Sequence, residues 1–169
     1  MKVLIGSDKS GFGLKEEIKA YLTGKGYEMT DCGTLDPEQP KPFFEVAPVA
    51  AQKIQSGEFE RAILICGTGM GMAIVANKFE GVYAACCEST YAAEKCRAIN
   101  DANILTMGGW IIAGILGCEM AETFLTTGFT ENLEEWRQEF LKGAKQKVSA
   151  IEESIYRKGV DVPCKQDHF

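Results

Sequence analysis

The sequence predicts an α/β fold built on a five-stranded parallel sheet with helices on both faces. Short β-branched and apolar runs alternate with longer stretches of helical periodicity, and glycines punctuate the helix ends. The chain has 169 residues, of which 46% are hydrophobic and 25% charged. That is enough for one core, since a chain of this size buries roughly 70% of the surface its unfolded form exposes.

Taken in order, the strands are Lys2 to Ser7, Tyr27 to Cys32, Arg61 to Cys66, Val82 to Cys87 and Ile104 to Gly108. Each is a short β-branched or apolar run. The intervening helices are Gly11 to Lys25, Phe43 to Ser56, Gly69 to Phe79, Ser89 to Ile99 and Ile112 to Thr126, with Gly24, Gly26, Gly57 and Gly81 near their ends. Strict alternation of this kind gives parallel pairing, because parallel neighbours need a crossover. From Glu131 to Lys158 the pattern becomes one long helix, with Leu133, Trp136, Phe140, Val148, Ile151 and Ile155 at spacings close to three and four. At 1.5 Å per residue it would run for about 42 Å, too far for a small domain to cover alone. A second subunit packed on it is expected, and the alternative is that it folds back over its own sheet. The expected organisation is a domain over 1–130, the helix over 131–158 and a flexible tail over 159–169.

Composition narrows the function. Lys and Arg total 18 against 24 Asp and Glu, a net charge of −6, so a polyphosphate partner would be repelled and nucleic acid is not expected. The apolar stretches fall short of a membrane span, and Met1 to Asp8 is too short and too charged for a signal peptide. A cytoplasmic location follows as an expectation. Seven cysteines, at 32, 66, 86, 87, 96, 118 and 164, follow no CxxC spacing, and the only histidine is His168. Neither a disulfide framework nor a metal site is expected.

Parallel sheets bind ligands beyond the carboxyl ends of their strands. That directs attention to Ser7–Gly11, Cys66–Gly71, Cys87–Thr90 and Gly108–Trp110. Cys66-Gly67-Thr68-Gly69-Met70-Gly71 leaves a strand, passes three glycines at alternate positions and enters a helix. Backbone amides there are free to approach an anion, and the helix end adds positive potential. A thiol at the strand end lies where that potential favours its thiolate, giving a base or nucleophile. The plainer alternatives are a buried thiol at Cys66, a helix cap at Asp8 and a turn residue at Asn100. A nucleotide-binding module is disfavoured, because the first strand leads into Gly6-Ser7-Asp8-Lys9-Ser10-Gly11 rather than GxGxxG.

Asp8, the Gly67-Thr68-Gly69-Met70-Gly71 run after Cys66, Asn77-Lys78, and Asn100-Asp101-Ala102-Asn103 with Gly108-Gly109 downstream resemble the ribose-5-phosphate isomerase B and galactose-6-phosphate isomerase family over residues 1 to about 140. The resemblance implies a three-layer αβα Rossmann-like sandwich. It further implies a homodimer or homotetramer with sites shared between subunits, no cofactor or metal, and aldose–ketose isomerisation through a cis-enediolate. By the same resemblance Cys66 is the base, Thr68 and the amides of Gly67, Gly69, Met70 and Gly71 form the anion hole, and Asn100 and Asp8 hold substrate oxygens.

Departures from the family pattern bear on the substrate. Ile99 stands where a ring-opening histidine is expected, Lys9 replaces another histidine, Trp110 and Leu133 occupy arginine positions, and Lys41 replaces a tyrosine. Lys9, Lys41 and Arg137 then remain to hold an anion, with Trp110 as an apolar wall, although lone lysines are more often simply solvated. The losses favour a small open-chain substrate. A tetrose phosphorylated at O4 cannot close a furanose ring and would not need the histidine. A deoxy keto-uronate is a second candidate, and pentose or hexose phosphates would require Glu88 to open the ring. A non-catalytic binding subunit or sensor of the same fold is the competing reading.

Overall fold

The structure is a computed structural model and describes residues 1–157. It contains five strands, β1 (Lys2–Ser7), β2 (Glu28–Asp31), β3 (Ala62–Cys66), β4 (Ala84–Cys86) and β5 (Ile104–Gly108). The helices are α1 (Phe12–Gly24), α2 (Phe43–Gln55), α3 (Met70–Ala76), α4 (Thr90–Ala98), α5 (Gly114–Thr126) and α6 (Glu135–Tyr156). All strands are parallel, in the order β2-β1-β3-β5-β4. This is the predicted three-layer α/β architecture, with every expected element present and several ends trimmed by one to three residues.

Alternate residues of the strands feed two cores. Val3, Ile5, Ile63, Ile65, Leu105 and Met107 pack with α1, α4 and α5. Leu4, Ala62, Leu64, Cys66 and Ile104 pack with α2 and α3. Strands buried on both faces read as unbroken apolar runs, which makes them recognisable from sequence. Phe124 of α5 is fully buried, and its ring lies under the guanidinium groups of Arg61 and Arg97 at 5.8 and 5.9 Å. Both arginines also donate to the carbonyl of Thr127, just past the end of α5, so the cations sit at the negative end of that helix.

The sequence order reverses between β1 and β3, which lie side by side with Ser7 opposite Ile65. The crevice beyond them is the topological switch point of the sheet. At the far edge β4 spans only three residues. There the Asn77 side chain accepts from the Ala84 amide at 2.7 Å and donates to the Ala84 carbonyl at 2.9 Å.

The last helix differs from expectation. It begins at Glu135 rather than Glu131 and covers 22 residues, about 33 Å. Thr130 and Asn132 take left-handed backbone angles of 64° and 54°, and the Glu131 carboxylate accepts from the Gly128 amide at 2.5 Å. The segment is therefore a tight turn that no regular helix can enter. Instead of crossing its own sheet, α6 runs beside the amino end of β4. Glu152 accepts from the Gly81 amide and the Tyr83 hydroxyl at 2.8 and 2.7 Å, Lys145 pairs with Asp101, and the Tyr156 hydroxyl donates to the Lys78 carbonyl. Only Leu141 of α6 is buried; Trp136, Phe140, Val148, Ile151 and Ile155 are exposed. The tail expected over 159–169 lies outside the described residues. Among those described, no helix is long and apolar enough to cross a membrane.

Removing Phe124 tests the core. Phe124→Ala should cost on the order of 3–5 kcal/mol, seen as a fall in Tm of roughly 10 °C in a calorimetric scan.

Candidate active site

β3 ends at Cys66, directly opposite Gly108 at the end of β5. The loops that follow interlock: the Gly109 amide donates to the Cys66 carbonyl at 2.8 Å and the Trp110 amide to the Gly67 carbonyl at 3.1 Å. Gly69 turns the chain with φ of +79°, and a Cβ there would lie 2.8 Å from the Met107 backbone. Only glycine satisfies both conditions. The turn aims the Gly69 amide back at the Cys66 sulfur, 3.2 Å away. Cys66 is 5% exposed and its Sγ faces the glycine loop. A donor in that position offsets negative charge developing on sulfur.

Three further walls converge. The Trp110 ring lies across Gly67, close enough that a Cβ on residue 67 would approach it to 2.7 Å. The indole is otherwise 74% exposed, an apolar plate with one covered face. The Phe43 ring flanks Gly71, where an added Cβ would meet it at 3.0 Å, and the Cys86 thiol donates to the Thr68 carbonyl at 3.6 Å. Across the switch point, Asp8 follows β1, its amide donating to the Ile65 carbonyl and its Oδ1 accepting from the Gly11 amide at 3.0 Å. Burial raises the Asp8 carboxyl above the usual carboxylate range, against the opposing pull of the Gly11 and Ser10 amides. Asp8 is not the cap of α1: the N-cap is Gly11, which has no side-chain cap bond, and Asp8 Oδ1 instead closes the turn before the helix on the Gly11 amide, its carboxyl half-buried.

The structure thus brings Asp8, Cys66, Gly67, Thr68, Gly69, Met70, Gly71 and Trp110 to one end of the sheet. Lys9 and Lys41 are exposed. The Lys41 backbone is fixed by Thr34, whose Oγ1 accepts from the Lys41 amide at 3.0 Å and donates to its carbonyl at 3.4 Å. Thr34 itself donates its amide to the Ser7 carbonyl at 2.8 Å. The charge of Lys41 is felt at Cys32: burial pushes that thiol up to about 11, and Lys41 pulls it the other way. Glu88 is exposed in the loop after β4.

Asn100 and Arg137 are not brought there within one chain. Asn100 precedes β5, whose first residue Ile104 pairs with Ala62, whereas Cys66 pairs with Gly108. Four residues of strand, about 13 Å, separate those levels. Asn100 lies instead beside Ile99, Tyr83, Leu141, Ala144, Lys145 and Val148, around a cavity of about 230 Å³. Arg137 sits in the first turn of α6. Residues that sequence reasoning missed are Phe43, Cys86, Thr34 and the fully buried Lys15. Lys15 did leave a signal, because it falls three residues before Ile18 and seven before Leu22, on the buried stripe of α1.

Comparison with known proteins agrees with this geometry. Residues 3–140 match the model of the Ribose/Galactose Isomerase family. The chain is 97% identical over 159 residues to a 4-deoxy-4-sulfo-D-erythrose isomerase of Clostridium sp. (strain MSTE9), covering 94% of this chain and 100% of that protein. It is 38% identical over 130 residues to a D-erythrulose-4-phosphate isomerase of Pectobacterium atrosepticum, covering 76% and 85% of the two chains. Ribose-5-phosphate isomerase B of Clostridium thermocellum superimposes with a TM-score of 0.82 at 36% identity, covering 91% of this chain and 99% of that one. An all-parallel sheet in the order observed, a thiol facing a glycine loop at its switch point, and these matches together establish that the chain belongs to the ribose/galactose isomerase family and is a sugar isomerase.

Proposed function

We propose that this isomerase interconverts 4-deoxy-4-sulfo-D-erythrose and the matching 2-ketose. The observation that carries the proposal is the 97% identity to the Clostridium protein named for that aldose. The chemistry of the site supports it. C4 of this tetrose bears a sulfonate and no hydroxyl, so neither isomer can close a furanose ring. No proton has to be handled at a ring oxygen, and Ile99 in place of a histidine costs nothing. A sulfonate carries a single negative charge, whereas a phosphate monoester carries roughly −1.5 to −2 near neutrality. The softer demand for cations suits a site with Trp110 as its apolar plate and Lys9, Lys41 and Arg137 as its available cations.

In the forward direction Cys66 Sγ, as thiolate, removes the C2 proton of the aldose. The electron pair forms the C1–C2 double bond of a cis-enediolate and the negative charge moves to O1. The amides of the 67–71 loop stabilise that oxygen, at about 3 kcal/mol per preorganised donor. The thiol then returns the proton to C1, while the hydroxyl proton passes from O2 to O1. Thr68 within the loop and Asp8 across the switch point from it serve the oxygens rather than carbon.

The working unit in this reading is a dimer whose sites take Asp8 and Cys66 from one copy and Asn100 and Arg137 from the other. Two observations support it. Asn100 lies at the wrong end of its own sheet for its own thiol, and the apolar face of α6 is exposed. A homodimer with two-fold symmetry covers that face in both copies at once.

Cys66→Ala should remain folded and lose at least about 10³-fold in kcat, and turnover by the native chain in deuterated water should place deuterium at C1 of the ketose. Undiminished activity of the variant refutes Cys66 as the base, and deuterium at C1 shows that the proton on the thiol exchanges with water before it is returned. Cys66→Ala and Asn100→Ala chains, each impaired alone, should recover roughly a quarter of native activity after dissociation and mixing, because half of the dimers are mixed and one of their two sites is intact. No recovery would show that each site is made by one chain. Asp8→Asn gives a prediction with a worked sign. A carboxyl raised by burial in the folded state makes the fold lose stability as pH rises through its folded pKa. The Asn variant keeps an oxygen for the Gly11 amide, so its Tm should match that of the native chain near pH 4 and exceed it at pH 7, while turnover falls.

A further inference from the structure

We infer that Lys15, a buried cation with no part in the reaction steps, is a positioning residue that sets the grip on the substrate's charged end by fixing the segment that carries Lys41. The inference rests on the reading of Lys41 as a contact for the terminal sulfonate.

Lys15 is fully buried in α1. Its Nζ donates to Asp31 Oδ2 and to the Thr34 carbonyl, both at 2.5 Å, and lies 3.0 Å from Glu16 Oε1 and 4.9 Å from the centre of the Phe12 ring. A lysine held this way has one rotamer and a fixed direction, and a buried ammonium is tolerable only with such partners. The Thr34 end of the arrangement is what reaches the site. Thr34 Oγ1 holds both the amide and the carbonyl of Lys41. Two residues on, the Phe43 ring closes against Gly71 of the anion loop. The segment from Thr34 to Phe43 therefore forms a side wall running from the end of β1 to the start of α3, anchored at one end by Lys15. The chain of contacts is Asp31 to Lys15 to Thr34 to Lys41. Losing a link leaves the thiol and its amides in place and lets only the wall move.

The test compares three variants of the full-length protein acting on 4-deoxy-4-sulfo-D-erythrose. Lys41→Ala removes the contact itself. Lys15→Met removes the anchor, with Lys19 still 3.1 Å from Asp31 as its remaining partner. Thr34→Val breaks the grip on the Lys41 backbone without disturbing any charge, and it decides the matter if Lys15→Met does not fold. Three readouts are taken: KM and kcat separately, competitive inhibition by methanesulfonate, and the rate of Cys66 alkylation by iodoacetamide followed by peptide mass spectrometry. Lys41→Ala should raise KM and weaken methanesulfonate by about tenfold. Lys15→Met and Thr34→Val should do the same by at least about threefold, with kcat and the alkylation rate within about twofold of native. Unchanged KM and inhibition in a folded Thr34→Val chain, with Lys41→Ala impaired, would overturn the positioning role and leave that of Lys41. Unchanged values in Lys41→Ala would remove both. Parallel loss of kcat and alkylation would mean general loosening and also overturn the inference. If the native chain does not turn over the sulfonate, the substrate reading fails by itself, and the same variants are compared on erythrose 4-phosphate.

Discussion

The site depends on two loops that nest. Beyond the paired ends of β3 and β5, the backbone after Gly108 donates to the carbonyls of Cys66 and Gly67 at 2.8 and 3.1 Å, and at Gly108 the two loops pack backbone to backbone, where a Cβ would meet Gly67 and Thr68 at 2.8 Å. That contact is possible because the strands are parallel and in register, so both loops leave the sheet at the same height. It fixes the direction of the Gly69 amide, and with it the place where negative charge is tolerated. A donor fixed in this way needs no reorganisation when charge develops beside it, which is how fixed dipoles lower a barrier.

The same nesting accounts for Trp110. Its amide is tied to the loop after Cys66 while its ring lies across Gly67, so one residue both locks the turn and forms an apolar surface at the mouth. A cation at that position would raise affinity for a doubly charged ester. An indole suits a weakly hydrated monoanion better. For the proposed sulfotetrose the composition of the rim and the missing ring-opening group fit together, one through charge and the other through the acyclic carbon chain.

Much of this is legible in the sequence because its signals are local. β3 is an uninterrupted apolar run and β1 and β5 are nearly so, and the Cys66–Gly71 segment carries its turn chemistry in six residues. The absence of a histidine at 99 and of arginines at 110 and 133 is likewise a local signal, and the proposal of a short, open-chain substrate draws on it. What is not legible is non-local. The start of α6 moves because Thr130 and Asn132 adopt left-handed angles, which residue types other than glycine rarely announce. That Asn100 faces away from its own Cys66 follows from β5 pairing in register with β3, which periodicity does not report. Lys15 sits on an apolar stripe, but only its pairing with Asp31 and Thr34 shows why. The residues proposed for the anion end are compatible with a phosphate or a carboxylate terminus, and the proposed sulfonate, a monoanion like the carboxylate, leaves no separate mark in the sequence.

Asn77 has a consequence for assembly. With its carboxamide it satisfies both the amide and the carbonyl of Ala84, doing for the first residue of β4 what a neighbouring strand would do. The rim of the sheet at β4 is short, and its opening rung is already taken, so at this edge a second molecule finds no free ladder to extend. That rim is thereby closed to strand addition and to the open-ended growth it would allow.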